Sequence, residues 1–90
     1  MTFKPPLKIS ILAAVSNTGP ASSAEIMDAL HPQYGRERQF NLHSISNHLL
    51  SLNAVGLIRD SGVSLKSDGS LEIKYVATEQ GQKRLAACMP

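Results

Sequence analysis

Five short hydrogen-bonding side chains, His43, Ser44, Asn47, His48 and Ser51, crowd into the segment 41–59, NLHSISNHLLSLNAVGLIR. Serine and histidine together raise the question of nucleophilic catalysis. Ser44 and His48 stand one helical turn apart, but no acid is placed to orient the imidazole. Neither a strained strand-to-helix turn around a serine nor a glycine-rich phosphate loop occurs. No enzyme is expected. Metal binding fares no better: His43 and His48 point in different directions on a helix, His31 lies beside the break at Pro32, and Cys88 is the single thiol. No metal and no cofactor are expected. What remains is a helix that shows solvent a row of donors and acceptors in place of the Lys and Glu of an ordinary exposed face.

The elements that must hold this row can be read from periodicity. In the segment itself Leu42, Ile45, Leu49 and Leu52 stack on one stripe, Asn41 is suited to cap the start, and Gly56 to end the run in a left-handed conformation. The spacing predicts a helix from Leu42 to Ala54. Upstream, Leu7, Ile11, Leu12 and Val15 predict a first helix over Pro6–Ser16, with Pro5 and Pro6 stiffening its entry and Asn17-Thr18-Gly19-Pro20 stopping it. Ser22 and Glu25 form a capping box for a second helix that buries Ile26 and Leu30 until His31-Pro32 ends it. Residues 31–41, HPQYGRERQFN, read as an exposed connector with Phe40 returning to the core.

Beyond Gly56 the period changes to two. Val63 and Leu65, then Leu71, Ile73 and Tyr75, alternate with polar residues, which predicts a hairpin over 63–76 with one buried face. A two-residue Asp-Gly loop would set Leu65 opposite Glu72, with apolar residues on opposite faces. A three-residue loop, Ser67-Asp68-Gly69, pairs Leu65 with Leu71 and Val63 with Ile73, and is expected. Thr78 and Glu79 then begin a short C-terminal helix with Leu85 and Met89 facing inward.

Ninety residues, 42% hydrophobic and 18% charged, suit one globular domain spanning 1–90. No apolar run is long enough to span a bilayer and no signal peptide is legible, so a cytoplasmic protein is expected, nucleoid-associated in a bacterium or archaeon. The lone Cys88 excludes an internal disulfide, which fits a reducing compartment. A net charge of +2 permits an anionic partner without demanding one.

Helix, helix, helix, hairpin, short helix is the layout of an α+β, mainly α, winged helix-turn-helix: a three-helix core with a β-hairpin wing and a short C-terminal helix. The local words agree. SISNHLLSLNAVGLIR resembles the recognition helix and first wing strand of MarR-, ArsR- and PadR-type regulators, where a Ser, a Leu and a second Leu precede a Gly-Leu-Ile/Val end. YVATEQGQKRL resembles the x-L-T-x-x-G words that follow the wing in the same families. Three positions depart: the connector exceeds the tight turn of the simplest members, Leu50 stands where a charged residue is usual, and Ala77 where Leu often precedes the Thr.

The resemblance implies a sequence-specific transcriptional regulator of double-stranded DNA, with the 42–54 helix in the major groove. His43, Ser44, Asn47 and His48 are the expected base contacts, Asn47 first, because a side-chain amide bonds adenine in bidentate fashion. Arg36, Arg38, Arg59 and Lys66 are the expected phosphate contacts; for the first two a solvated charge run, and for the wing a plain solvated hairpin, are the alternatives. A homodimer is expected on a palindromic site, with Ile9, Ala13, Leu50, Ala86, Ala87 and Met89 as candidate contacts. No small-molecule substrate or membrane partner is evident. The alternative is a winged-helix protein-interaction module within a larger complex.

Overall fold

The computed structural model describes residues 6–38 and 40–88, the last without its side chain. Pro5, Met89 and the Cys88 thiol, which entered the expectations above, lie outside the described residues. The elements are α1 (Leu7–Thr18), α2 (Ser23–Tyr34), α3 (Leu42–Ala54), β1 (Ile58–Leu65), β2 (Leu71–Ala77) and α4 (Glu79–Cys88).

Apolar faces of the three long helices converge on one cluster. Ile11, Leu12 and Val15 of α1, Ile26 and Leu30 of α2, and Ile45, Leu49 and Leu52 of α3 meet Leu57, Ile58 and Tyr75. Helix α1 runs to Thr18, two residues past the expected Ser16, and Gly19 at φ 80° ends it, its N–H donating to the Val15 carbonyl. The capping box of α2 forms as expected, with Ser22 and Glu25 each bonding the other's backbone N–H. Pro32, however, lies inside α2. Its missing N–H removes one helical bond, yet the chain stays helical because Tyr34 is buried and its hydroxyl shares a 2.6 Å hydrogen bond with Ser10 Oγ. Phe40 is also buried and stacks on Tyr34 at 6.3 Å between ring centroids, so both ends of the connector are tied to the core.

The two strands are antiparallel, with Leu65 opposite Leu71 and Val63 opposite Ile73. The tip is the expected three-residue loop, with Gly69 at φ 89° and Lys66 N–H donating to the Ser70 carbonyl. Strand β1 starts at Ile58 rather than Val63, and a shift in register between Asp60 and Gly62 inserts one extra residue. That bulge puts Val63 and Leu65 on the Tyr75 face. The expected burial of this face holds only at its root. Ile58 and Tyr75 are buried, but Val63, Leu65, Leu71 and Ile73 are 45–73% exposed, because the hairpin extends past the helices.

Two attachments hold the hairpin root. Ala21 and Tyr75 exchange both backbone hydrogen bonds across an isolated bridge. On the outer face, Lys74 pairs with Glu25 of α2 and with Glu72. Lys74 thereby holds both carboxyls below their usual range, so what these pairs add to stability is present above about pH 4.5 and is lost as pH falls. Thr78 N–H donates to the Leu57 carbonyl, while its Oγ1 donates to the Gly56 carbonyl and caps α4 at Gly81 N–H. Leu85 packs on the core edge as expected.

Gly81 is buried so close to Leu57 that a Cβ there would run into the Leu57 carbonyl oxygen. Gly81→Ala is therefore expected to cost about 1–3 kcal/mol, as other overpacked sites do. Urea denaturation should show a lower midpoint with an unchanged slope.

Candidate nucleic-acid interface

Helix α3 is fixed at both ends and along its floor. Asn41 Oδ1 accepts from Ser44 N–H at 2.9 Å, and Asn41 Nδ2 donates to the Arg38 carbonyl at 3.3 Å, which ties the connector to the helix start. At the other end Gly56, at φ 83°, lets Leu57 N–H reach back to the Leu52 carbonyl at 2.9 Å. Ile45, Leu49 and Leu52 are buried beneath. A helix so held presents its outer side chains from a rigid base.

The five polar residues do not form one flat row. His43 and Asn47 are fully outward and joined, Asn47 Nδ2 lying 3.2 Å from His43 Nε2. With the amide as donor, the His43 proton sits on Nδ1. This contact uses one of the two amide hydrogens, leaving Asn47 Oδ1 and the second N–H free. Those are the acceptor and donor that an adenine edge requires.

Ser44, His48 and Ser51 are instead half-buried, the last two beside Lys8 at the start of α1. Lys8 Nζ donates to Ser51 Oγ at 2.8 Å. Burial, and secondarily the Lys8 charge, push the His48 imidazole below its ordinary value near 6.5, so it stays neutral at pH 7 and adds no cation to this face. Sequence reasoning missed Lys8, since nothing in the chain order tells that the start of α1 lies beside the end of α3.

Leucines complete the outer surface. Leu42, expected in the buried stripe, is 49% exposed, and Leu50 is 60% exposed beside the His43–Asn47 pair. Leu42, Ser46 and Leu50 form one wall of an open groove of about 350 Å³ whose other wall is Leu71 and Ile73 of the hairpin. Leu42 drops out of the stripe because, among the described residues, only an open groove lies on that side of α3.

The expected phosphate contacts divide likewise. Arg36 and Arg38 are exposed on the connector and Arg59 on β1, and among the described residues no ion pair holds them. Lys66 stands at the hairpin tip, but its charge faces Glu72 at 3.8 Å, not only Asp68 as the sequence suggests. Among the described residues no three His, Cys, Asp or Glu side chains gather into a metal-binding group. No helix there is long and apolar enough to cross a membrane.

No family model matches the sequence, and no curated protein matches it. Solved structures do. The crystal structure of Bacillus subtilis PadR in complex with operator DNA matches with a TM-score of 0.76 at 21% identity, over 90% of this chain and 45% of that one. The fold is a winged helix. A transcriptional regulator of Thermoplasma acidophilum is similar at TM-score 0.74 and 20% identity, and a PadR-like transcriptional regulator of Bacillus cereus at 0.70 and 22%. This winged helix covers 74% and 75% of those two chains but less than half of the Bacillus subtilis protein. The hairpin β1–β2 is thus the wing, and α2–α3 the helix-turn-helix.

Because folding disfavours the His48 imidazolium, stability should decline as pH falls below about 6.5, where the unfolded chain takes up the proton first. Replacing Lys8 by Met removes the charge contribution but not the burial, so the imidazole should titrate at higher pH than in the parent while still below its ordinary value. Histidine proton shifts followed by NMR across pH 4–8 measure both.

Proposed function

We propose that this winged helix is a sequence-specific DNA-binding domain of a transcriptional regulator, placing α3 in the major groove of double-stranded DNA. The observation that carries the reading is the outward His43–Asn47 pair on a helix capped at both ends, with the adenine-matching atoms of Asn47 free. The likeness of 90% of this chain to part of a regulator crystallised with its operator supports it. The half-buried Ser44 and His48, the latter beside Lys8 of α1, reach the groove wall or the backbone and not the centre of the base edges. Arg36, Arg38 and Arg59 grip phosphates, with Lys66 contributing less because Glu72 opposes it.

The domain spans 1–90, performs no catalysis, needs no cofactor and works in the cytoplasm or nucleoid. Two copies bind a palindromic site, since one domain of this size makes few contacts. The half-buried Ile9 and Ala13 and the exposed Ala86 and Ala87 remain the surfaces for that pairing, with Met89 beside them in sequence.

A protein-interaction module is the second reading, and one observation favours it: Leu42, Leu50, Leu71 and Ile73 give the groove between α3 and the wing apolar surface beside Lys66 and Glu72, although a DNA backbone is charged.

Selection from random duplexes separates the two readings. The regulator reading expects an enriched sequence whose binding weakens steeply between 50 and 200 mM salt, as counterion release demands. Asn47→Ala should flatten base preference at one position, by about 1–3 kcal/mol, while Arg36→Ala weakens all duplexes alike. No binding at the lowest salt would overturn the reading in favour of the module.

A further inference from the structure

We infer that Leu50 is a specificity-determining residue that reads the methyl group of a thymine, an inference that rests on the DNA reading above. Leu50 is 60% exposed, in the middle of the outer face of α3. It follows Asn47 by three residues and His43 by seven, so all three side chains emerge on the same side of the helix. Whatever surface meets the His43–Asn47 pair therefore meets Leu50. A leucine has neither donor nor acceptor, and the base edges of the major groove offer it one apolar partner, the C5-methyl of thymine.

The position of that thymine follows from helix geometry. Three residues advance the helix by about 4.5 Å, against a rise of about 3.4 Å per base pair. The methyl read by Leu50 thus lies within about two base pairs of the adenine bonded by Asn47. Leu71 and Ile73 face Leu50 across an open groove, and Leu50 keeps 60% of its surface exposed at that groove's rim.

The test uses the full chain and the duplex enriched from the random pool. Each thymine near the Asn47-dependent position is replaced singly by deoxyuridine, which removes the methyl and leaves every hydrogen-bonding atom in place. At one such thymine the parent should lose about fourfold in affinity, the loss expected for one buried carbon group. Leu50→Ala should bind the unmodified duplex more weakly and be indifferent to the same replacement, whereas Leu50→Met should stay sensitive. Leu50 is exposed, so both variants should match the parent in circular dichroism and thermal midpoint.

Equal effects of deoxyuridine on parent and Leu50→Ala, or no effect in either, overturn the inference while leaving the DNA reading intact. A change in sedimentation for Leu50→Ala with no deoxyuridine effect overturns it too, and assigns the residue to contact between copies. Failure to enrich any duplex defeats the DNA reading itself, and the inference with it.

Discussion

Ile45, Leu49 and Leu52 leave at most 1% of their surfaces to solvent, and this burial along one side of α3 is the constraint on which the rest of the fold depends. Each such side chain contributes roughly 1.5–3 kcal/mol. Rotating the helix by one residue position would drive Ser46 or Ser44 into the core and bring an apolar residue out. The stripe therefore sets which residues look outward, and the caps at Asn41 and Gly56 set where the display begins and ends. The outward His43–Asn47 pair costs the fold little, since its orientation follows from packing on the opposite side.

Charge is organised differently. Glu25, Lys74, Glu72 and Lys66 form a chain that runs from α2 onto the outer face of the wing. Such partly exposed pairs add little stability, but they engage the lysines of the wing locally. Arg36, Arg38 and Arg59, which no ion pair holds among the described residues, lie by contrast on the connector and at the root of β1. A small net charge can thus still leave exposed cations uncancelled, because several of the charges pair elsewhere.

Features that depend on near neighbours in the chain were legible in the sequence. The limits of α3 follow from a stripe and two end signals, and the register of the wing from the parity of four apolar residues around Asp68-Gly69. Features that depend on distant packing were not. Pro32 reads as a stop, but Tyr34 is held by Ser10, 24 positions away, and carries the helix through it. The hairpin reads as half-buried because alternation says nothing about how far the strands outrun the helices beneath. Ser44, His48 and Ser51 read as one row with Asn47 because a helical repeat does not show that Lys8 closes over one side of it. Leu50 was visible as a departure from the usual charged residue and as a candidate contact between copies; its outward position needed the fold.

The bulge after Asp60 and the three-residue tip together lock the phase of the wing between its root and its end. Gaining or losing one residue from each strand would turn Leu65 and Leu71 to the charged side and bring their polar neighbours round. The reach of the projection is therefore quantised. It can grow or shrink only by two residues per strand, a step of about 7 Å, if the greasy side is to keep facing α3. Variation in the length of this arm is governed by arithmetic of phase, whatever residues fill it.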